Sequence, residues 1–188
     1  REQITEEKYQ ELIAELKTLP DKIAKIIEDD KERIQWFAAK QANARDAFFI
    51  GRGIDYAISM EGSLKMKEVS YVHTEAYAAG ELKHGTISLI EDGTLVIGIL
   101  TQNHLYEKTV SNIREVVARG ASVVLVTTDD FTGDESVCQH IVRLPKCLYE
   151  FSASLSIIPM QLLAYYIAVE RNCDVDKPRN LAKSVTVE

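Results

Sequence analysis

The chain has 188 residues, 46% of them hydrophobic, and a formal net charge of −7. That length suits one domain with a substantial core. The acidic balance excludes the basic patch that a nucleic-acid binder normally shows. No uninterrupted apolar run approaches the roughly 20 residues of a membrane span, and no signal peptide is read. The three cysteines, Cys138, Cys147 and Cys173, are odd in number and lack CxxC spacing. They read as plain thiols in a reducing cytoplasm. The four histidines have no metal-ligand spacing, so neither a metal nor a cofactor is expected. The chain opens Arg-Glu-Gln, which gives the expectation of a piece of something longer.

In chain order, residues 6–17 and 21–43 read as two amphipathic helices separated by Leu19-Pro20, with Pro20 near the start of the second. This helical pair makes up a segment 1–44. The main domain is expected over 45–172. "AFFIG" at 47–51, "LVIGIL" at 95–100 and "SVVLVT" at 122–127 are apolar runs of strand length, "HIVRL" at 140–144 is weaker, and "TEAYA" at 74–78 suits a short edge strand. "NHLYEKTVSNIREVVARG" is a helix ending at Gly120, and 152–172 is apolar almost all round and reads as a buried helix. Apolar strands alternating with helices imply an α/β fold, an open parallel sheet of about five strands flanked by helices. Residues 173–188 form an irregular tail. Ligands of such sheets bind beyond the C-terminal strand ends, here Gly51–Tyr56, Thr101–Leu105 and Thr127–Gly133.

"GRG" at 51–53 fails the dinucleotide pattern, because Tyr56 stands where a third glycine belongs; a tight strand-to-helix turn is the better reading. "EGSLKMKE" at 61–68 is more informative. If Met60–Val72 is a helix, Glu61, Lys65 and Glu68 share an arc of roughly 60°. Val69, Val72 and Leu64 flank that arc, while Ser59, Ser63, Ser70 and Lys67 read as the exposed face. The three charges are therefore expected to be shielded and paired. They form either a structural network or a carboxylate tuned by a lysine. "GELKHG" at 80–85 is a polar turn in which His84 serves catalysis or simple capping. In "KPRNLAKSV" at 177–185, Lys183 among small and apolar residues is either exposed and inert or a desolvated amine nucleophile.

"EGSLKMKEVSYVHTEAYAAGELKHG" and "DVDKPRNLAKSVTVE" closely resemble the C-terminal end of the glutamine–fructose-6-phosphate aminotransferase family. The order of strands and helices between them resembles a sugar isomerase (SIS) domain. The resemblance implies that Lys183 forms a Schiff base with the open-chain ketose and that Glu68 moves a proton between C2 and C1. It implies that His84 opens the sugar ring, reaching the site from the partner subunit of a homodimer, and that Lys65 and Glu61 support Glu68. The implied ligands are fructose 6-phosphate and glucosamine 6-phosphate. The chain departs from the whole family enzyme in two ways. Nothing in it corresponds to the glutaminase domain or to a preceding SIS half, and the loop "TQNHLYEK" lacks a Ser/Thr-rich phosphate cradle. The expectation is a second SIS half that is inactive alone. A non-catalytic sugar-phosphate-binding module is the alternative, and an isomerase outside amino-sugar synthesis would leave the tail unexplained.

Overall fold

A computed structural model describes residues 3–179 and 181. It begins with one helix, α1 (Glu6–Gln41), where two were expected. Thr5 caps it by accepting the Lys8 N–H at 3.2 Å, and Glu6 and Glu7 in the first turn complement the helix dipole. Pro20 lies inside the helix, not at the start of a second one. Its missing N–H would have bonded the Leu16 carbonyl. Both Pro20 and Leu16 are on the solvent side, where water can serve that carbonyl, while Leu19, Ile26 and Ile34 are buried on the other side. Burial of that stripe outweighs the local cost of proline.

The rest alternates: β1 (Asp46–Gly51), α2 (Ile54–Ser70), β2 (His73–Ala78), β3 (Leu95–Leu100), α3 (Tyr106–Val117), β4 (Ser122–Thr128), β5 (His140–Leu144) and α4 (Ser152–Glu170). The strands form one sheet in the order β2-β1-β3-β4-β5, and every neighbouring pair is parallel. β2 is an edge strand, as expected for "TEAYA". One face of the sheet, through Phe49, Ile97, Val124 and Val142, packs with Ile34, Phe37, Met66, Leu155, Leu163 and Ile167 from α1, α2 and α4. The other, through Phe48, Ile50, Val96 and Leu125, packs with Ile113 and Val116 of α3 and with Leu82 and Ile90 after β2. The segment Tyr149–Glu170 is long and apolar enough to cross a membrane by length and composition; here it packs against α1 and α2.

The Gly-Arg-Gly turn explains itself sterically. A Cβ on Gly51 would lie 2.5 Å from the backbone carbonyl carbon of Asp55, and Gly53 adopts φ +56°. The strand can therefore enter α2 within two residues only as glycine. Gly51→Ala is expected to destabilise the fold by about 2–3 kcal/mol, because the clash is with backbone and cannot be relieved by a rotamer change. Urea unfolding would show it as a lower midpoint with an unchanged slope.

A second stability prediction concerns β5. His140 stacks on Phe37 of α1 at 6.2 Å between ring centroids, and its buried Nε2 has no hydrogen-bond partner among the described residues. Burial, followed by the positive charge of Arg33, lowers its pKa. The unfolded chain, with a value of about 6.5, therefore binds this proton more readily than the folded one. The His140 contribution is present above that value and is lost as pH falls through it. Melting temperature should drop between pH 7.5 and 5.5, and less steeply in His140→Phe; parallel profiles would refute the assignment.

Candidate active site

α2 places the charged residues, and it does so with a face opposite to the one expected. Its buried stripe is Asp55, Ser59, Gly62, Ser63, Met66 and Ser70. The serines can be buried because each hydroxyl is satisfied. Ser59 Oγ donates to the Asp55 carbonyl at 2.8 Å and Ser70 Oγ to the Met66 carbonyl at 2.7 Å. Ser63 Oγ donates to Thr74 Oγ1 of β2 at 3.0 Å. Small side chains also let the helix lie close on the sheet. Met60 and Leu64, in contrast, are 48% and 43% exposed. Polarity and exposure thus part company on this helix.

The triad itself forms. Lys65 Nζ donates to Glu68 Oε2 at 2.7 Å and lies 3.5 Å from Glu61 Oε1. Lys65 and Glu68 are half-buried and Glu61 is exposed, so shielding is partial where it was expected to be substantial. The hydrogen bond to Glu68, helped by the negative charge of both glutamates, raises the Lys65 pKa. The lysine is held as an ammonium against a carboxylate on an accessible surface. Such pairs contribute little to stability, and their value lies in orientation.

Lys65 and Val69 also line a cleft of about 280 Å³ completed by Gln161, Ala164 and Tyr165 of α4 and by Val175 and Asp176 beyond it. The tail begins here. Asp174 Oδ1 accepts the N–H groups of Asp176 at 3.0 Å and Lys177 at 2.9 Å, an Asx-type turn. The backbone N–H of Arg179 then donates to Tyr71 Oη at 2.8 Å. Tyr71 sits directly after α2 with φ 59°. Lys183 lies outside the described residues.

His84 is exposed, at the end of a short 3-10 turn, Leu82–His84, that follows β2. The chain does not bring it to the triad. α2 runs from the C-terminal end of β1 back to His73, which pairs with Asp46 at the first residue of β1. Glu68 is therefore near the N-terminal ends of β1 and β2, and His84 lies past the C-terminal end of β2. At 1.5 Å rise, Ile54 and Glu68 alone are about 21 Å apart.

The C-terminal strand ends, where the ligands of such sheets bind, hold a different network. Asp55 is 2% exposed and accepts the Thr101 N–H at 2.9 Å as well as the Thr101 hydroxyl. Burial raises its pKa against the opposing pull of those bonds. Gln102 bonds the Arg52 carbonyl, and Arg52 Nη2 bonds Asn112 at 2.8 Å. These groups tie the turn after β1 to the turn after β3 and leave Asp55 fully engaged. Burial pushes the Cys138 thiol up to about 11, and all three cysteines are free.

A family model described as SIS domain matches residues 41–171. The chain is 56% identical over 181 residues to the glutamine–fructose-6-phosphate aminotransferase (isomerizing) of Caldanaerobacter subterraneus, covering 96% of this chain and 30% of that protein. It is 51% identical over 185 residues to the enzyme of the same name from Clostridium acetobutylicum, again covering 30% of it. The chain thus spans under a third of the length of these relatives. In structure it is similar to the C-terminal domain of glucosamine-fructose-6-phosphate aminotransferase from Francisella tularensis. The TM-score is 0.84 at 31% identity, covering 93% of this chain and 49% of that one.

Proposed function

The chain belongs to the SIS domain family, and we propose that it acts as the second SIS half of a glutamine–fructose-6-phosphate aminotransferase, which makes glucosamine 6-phosphate from fructose 6-phosphate and glutamine. One observation carries the reading: the Lys65–Glu68 pair at 2.7 Å stands beside a cleft whose wall includes the start of the tail that carries "LAKSV".

The chemistry assigns each group a task. The amine of Lys183 attacks the C2 ketone of the open-chain sugar. Loss of water leaves an imine that holds the chain open. After hydrolysis restores the ketone or the incoming ammonia takes its place, Glu68 removes the proton from C1 and returns it at C2. Lys65 sets a positive charge beside that carboxylate and steadies the enolic oxygen. Glu61 holds Lys65 from the previous turn. His84 assists ring opening in the site of a partner subunit. Its separation from Glu68 within one chain favours this sharing and hence a homodimer. The free cysteines suit a cytoplasmic setting. Exposed Met60 and Leu64 beside the triad suit coverage by a preceding SIS half, which would bring the phosphate anchor this chain lacks.

The reading is tested by assay. The 188-residue chain alone is expected to yield no glucosamine 6-phosphate from fructose 6-phosphate and glutamine. The full-length enzyme carrying the same sequence is expected to yield it. A full-length protein without this activity would overturn the proposal.

A further inference from the structure

From the two-point contact between Tyr71 and Arg179, we infer that Tyr71 is a positioning residue that clamps the root of the tail and so delivers Lys183 to the Glu68 site. The inference rests on the functional reading above. The two residues are 108 positions apart in sequence. The Tyr71 hydroxyl accepts the Arg179 backbone N–H at 2.8 Å, and the Arg179 guanidinium lies over the Tyr71 ring at 4.1 Å from its centroid. The hydroxyl fixes the backbone and the ring fixes the side chain, so both the place and the direction of the chain are set at this point.

Three further observations fit this role. Tyr71 closes α2 in the left-handed conformation, φ 59°, which glycine adopts at far lower cost. A tyrosine in that conformation holds its ring just past the last turn of the helix, beyond Glu68. Upstream, Val175 and Asp176 line the cleft with Lys65 and Val69, so the tail is led along α2 before it meets Tyr71. Downstream, only four peptide units separate Arg179 from Lys183, a reach of at most about 14 Å. A clamp this near Lys183 in the chain raises the effective concentration of its amine at the sugar.

The test uses the full-length enzyme. Tyr71→Phe removes the hydroxyl and keeps the ring. Amide exchange at Arg179 should be slow in the wild type and clearly faster in Tyr71→Phe. The variant's kcat should fall about 10-fold with KM within about 2-fold, since sugar binding is untouched while the amine is misplaced. Arg179→Ala removes the guanidinium from the ring and leaves the backbone bond, so it should give the same split, and the double variant should lose more than either single one. A tyrosine that only stabilises the fold would lower the melting temperature and leave kcat alone. The inference is overturned by unchanged Arg179 exchange in Tyr71→Phe or by an unchanged kcat in that variant. An inactive wild type would sink the functional reading, and the positioning role with it, whatever the exchange shows.

Discussion

Glu68→Gln and Lys183→Ala, each placed in the full-length enzyme, are expected to cut isomerisation by about 10²-fold or more, the order lost when a general acid–base or nucleophilic group is removed. The glutamine keeps the size and one acceptor of the carboxylate but cannot take up the C1 proton. It also breaks the charge pair that orients Lys65, now 2.7 Å from Glu68. Because Glu68 is half-buried and on the outer side of α2, the loss should come without a matching fall in melting temperature. Surface substitutions of this kind usually change stability by less than about 0.5 kcal/mol. Lys65→Ala should produce a smaller defect, since it removes a supporting charge and leaves the base. Near-normal turnover in Glu68→Gln would remove the base assignment. The readouts are the rate of fructose 6-phosphate to glucose 6-phosphate interconversion and thermal unfolding of the same samples.

The fold was legible because its signals were long and mutually consistent. "LVIGIL" and "SVVLVT" carry no alternation, and strands apolar on both sides demand cover on both faces, which only a parallel sheet with crossover helices supplies. Both became fully internal strands. Other signals misled for identifiable reasons. Pro20 fits the start of a helix as well as an exposed interior position, and the pattern around it cannot say which side faces water. The serines of α2 suggest a solvent face because polarity usually goes with exposure. Back-bonding to the preceding turn makes a buried serine inexpensive, and its small size makes close packing on β1 and β2 feasible. The pairing of Glu61, Lys65 and Glu68 survived that reversal because it depends on spacing along one helix and not on which side is buried. Tyr71 went unread. Nothing local in "EVSYVH" links it to Arg179, and only the path of the tail brings the two together.

Sharing of the site between subunits carries the other large effect. A full-length dimer can be assembled with His84→Ala in one subunit and Lys183→Ala in the other. If His84 acts across a two-fold interface, both lesions fall in one site and the second site stays intact, leaving about half the activity of the wild type. If His84 acts within its own chain, each site carries one lesion and the mixed dimer is nearly dead. The first outcome is expected, since α2 and β2 put Glu68 and His84 at opposite ends of the parallel strands. Each homodimer of the single variants should be inactive in either case, which makes the mixed dimer the informative species.

Chemical capture of the sugar tests the central claim most directly. Borohydride added to the full-length enzyme with fructose 6-phosphate would reduce an imine to a stable secondary amine, and peptide mass spectrometry would locate it. The predicted result is one hexitol-phosphate adduct on Lys183, absent in Lys183→Ala and still formed in Glu68→Gln, whose lesion lies after imine formation. No adduct, or an adduct on another lysine that persists in Lys183→Ala, would contradict the account.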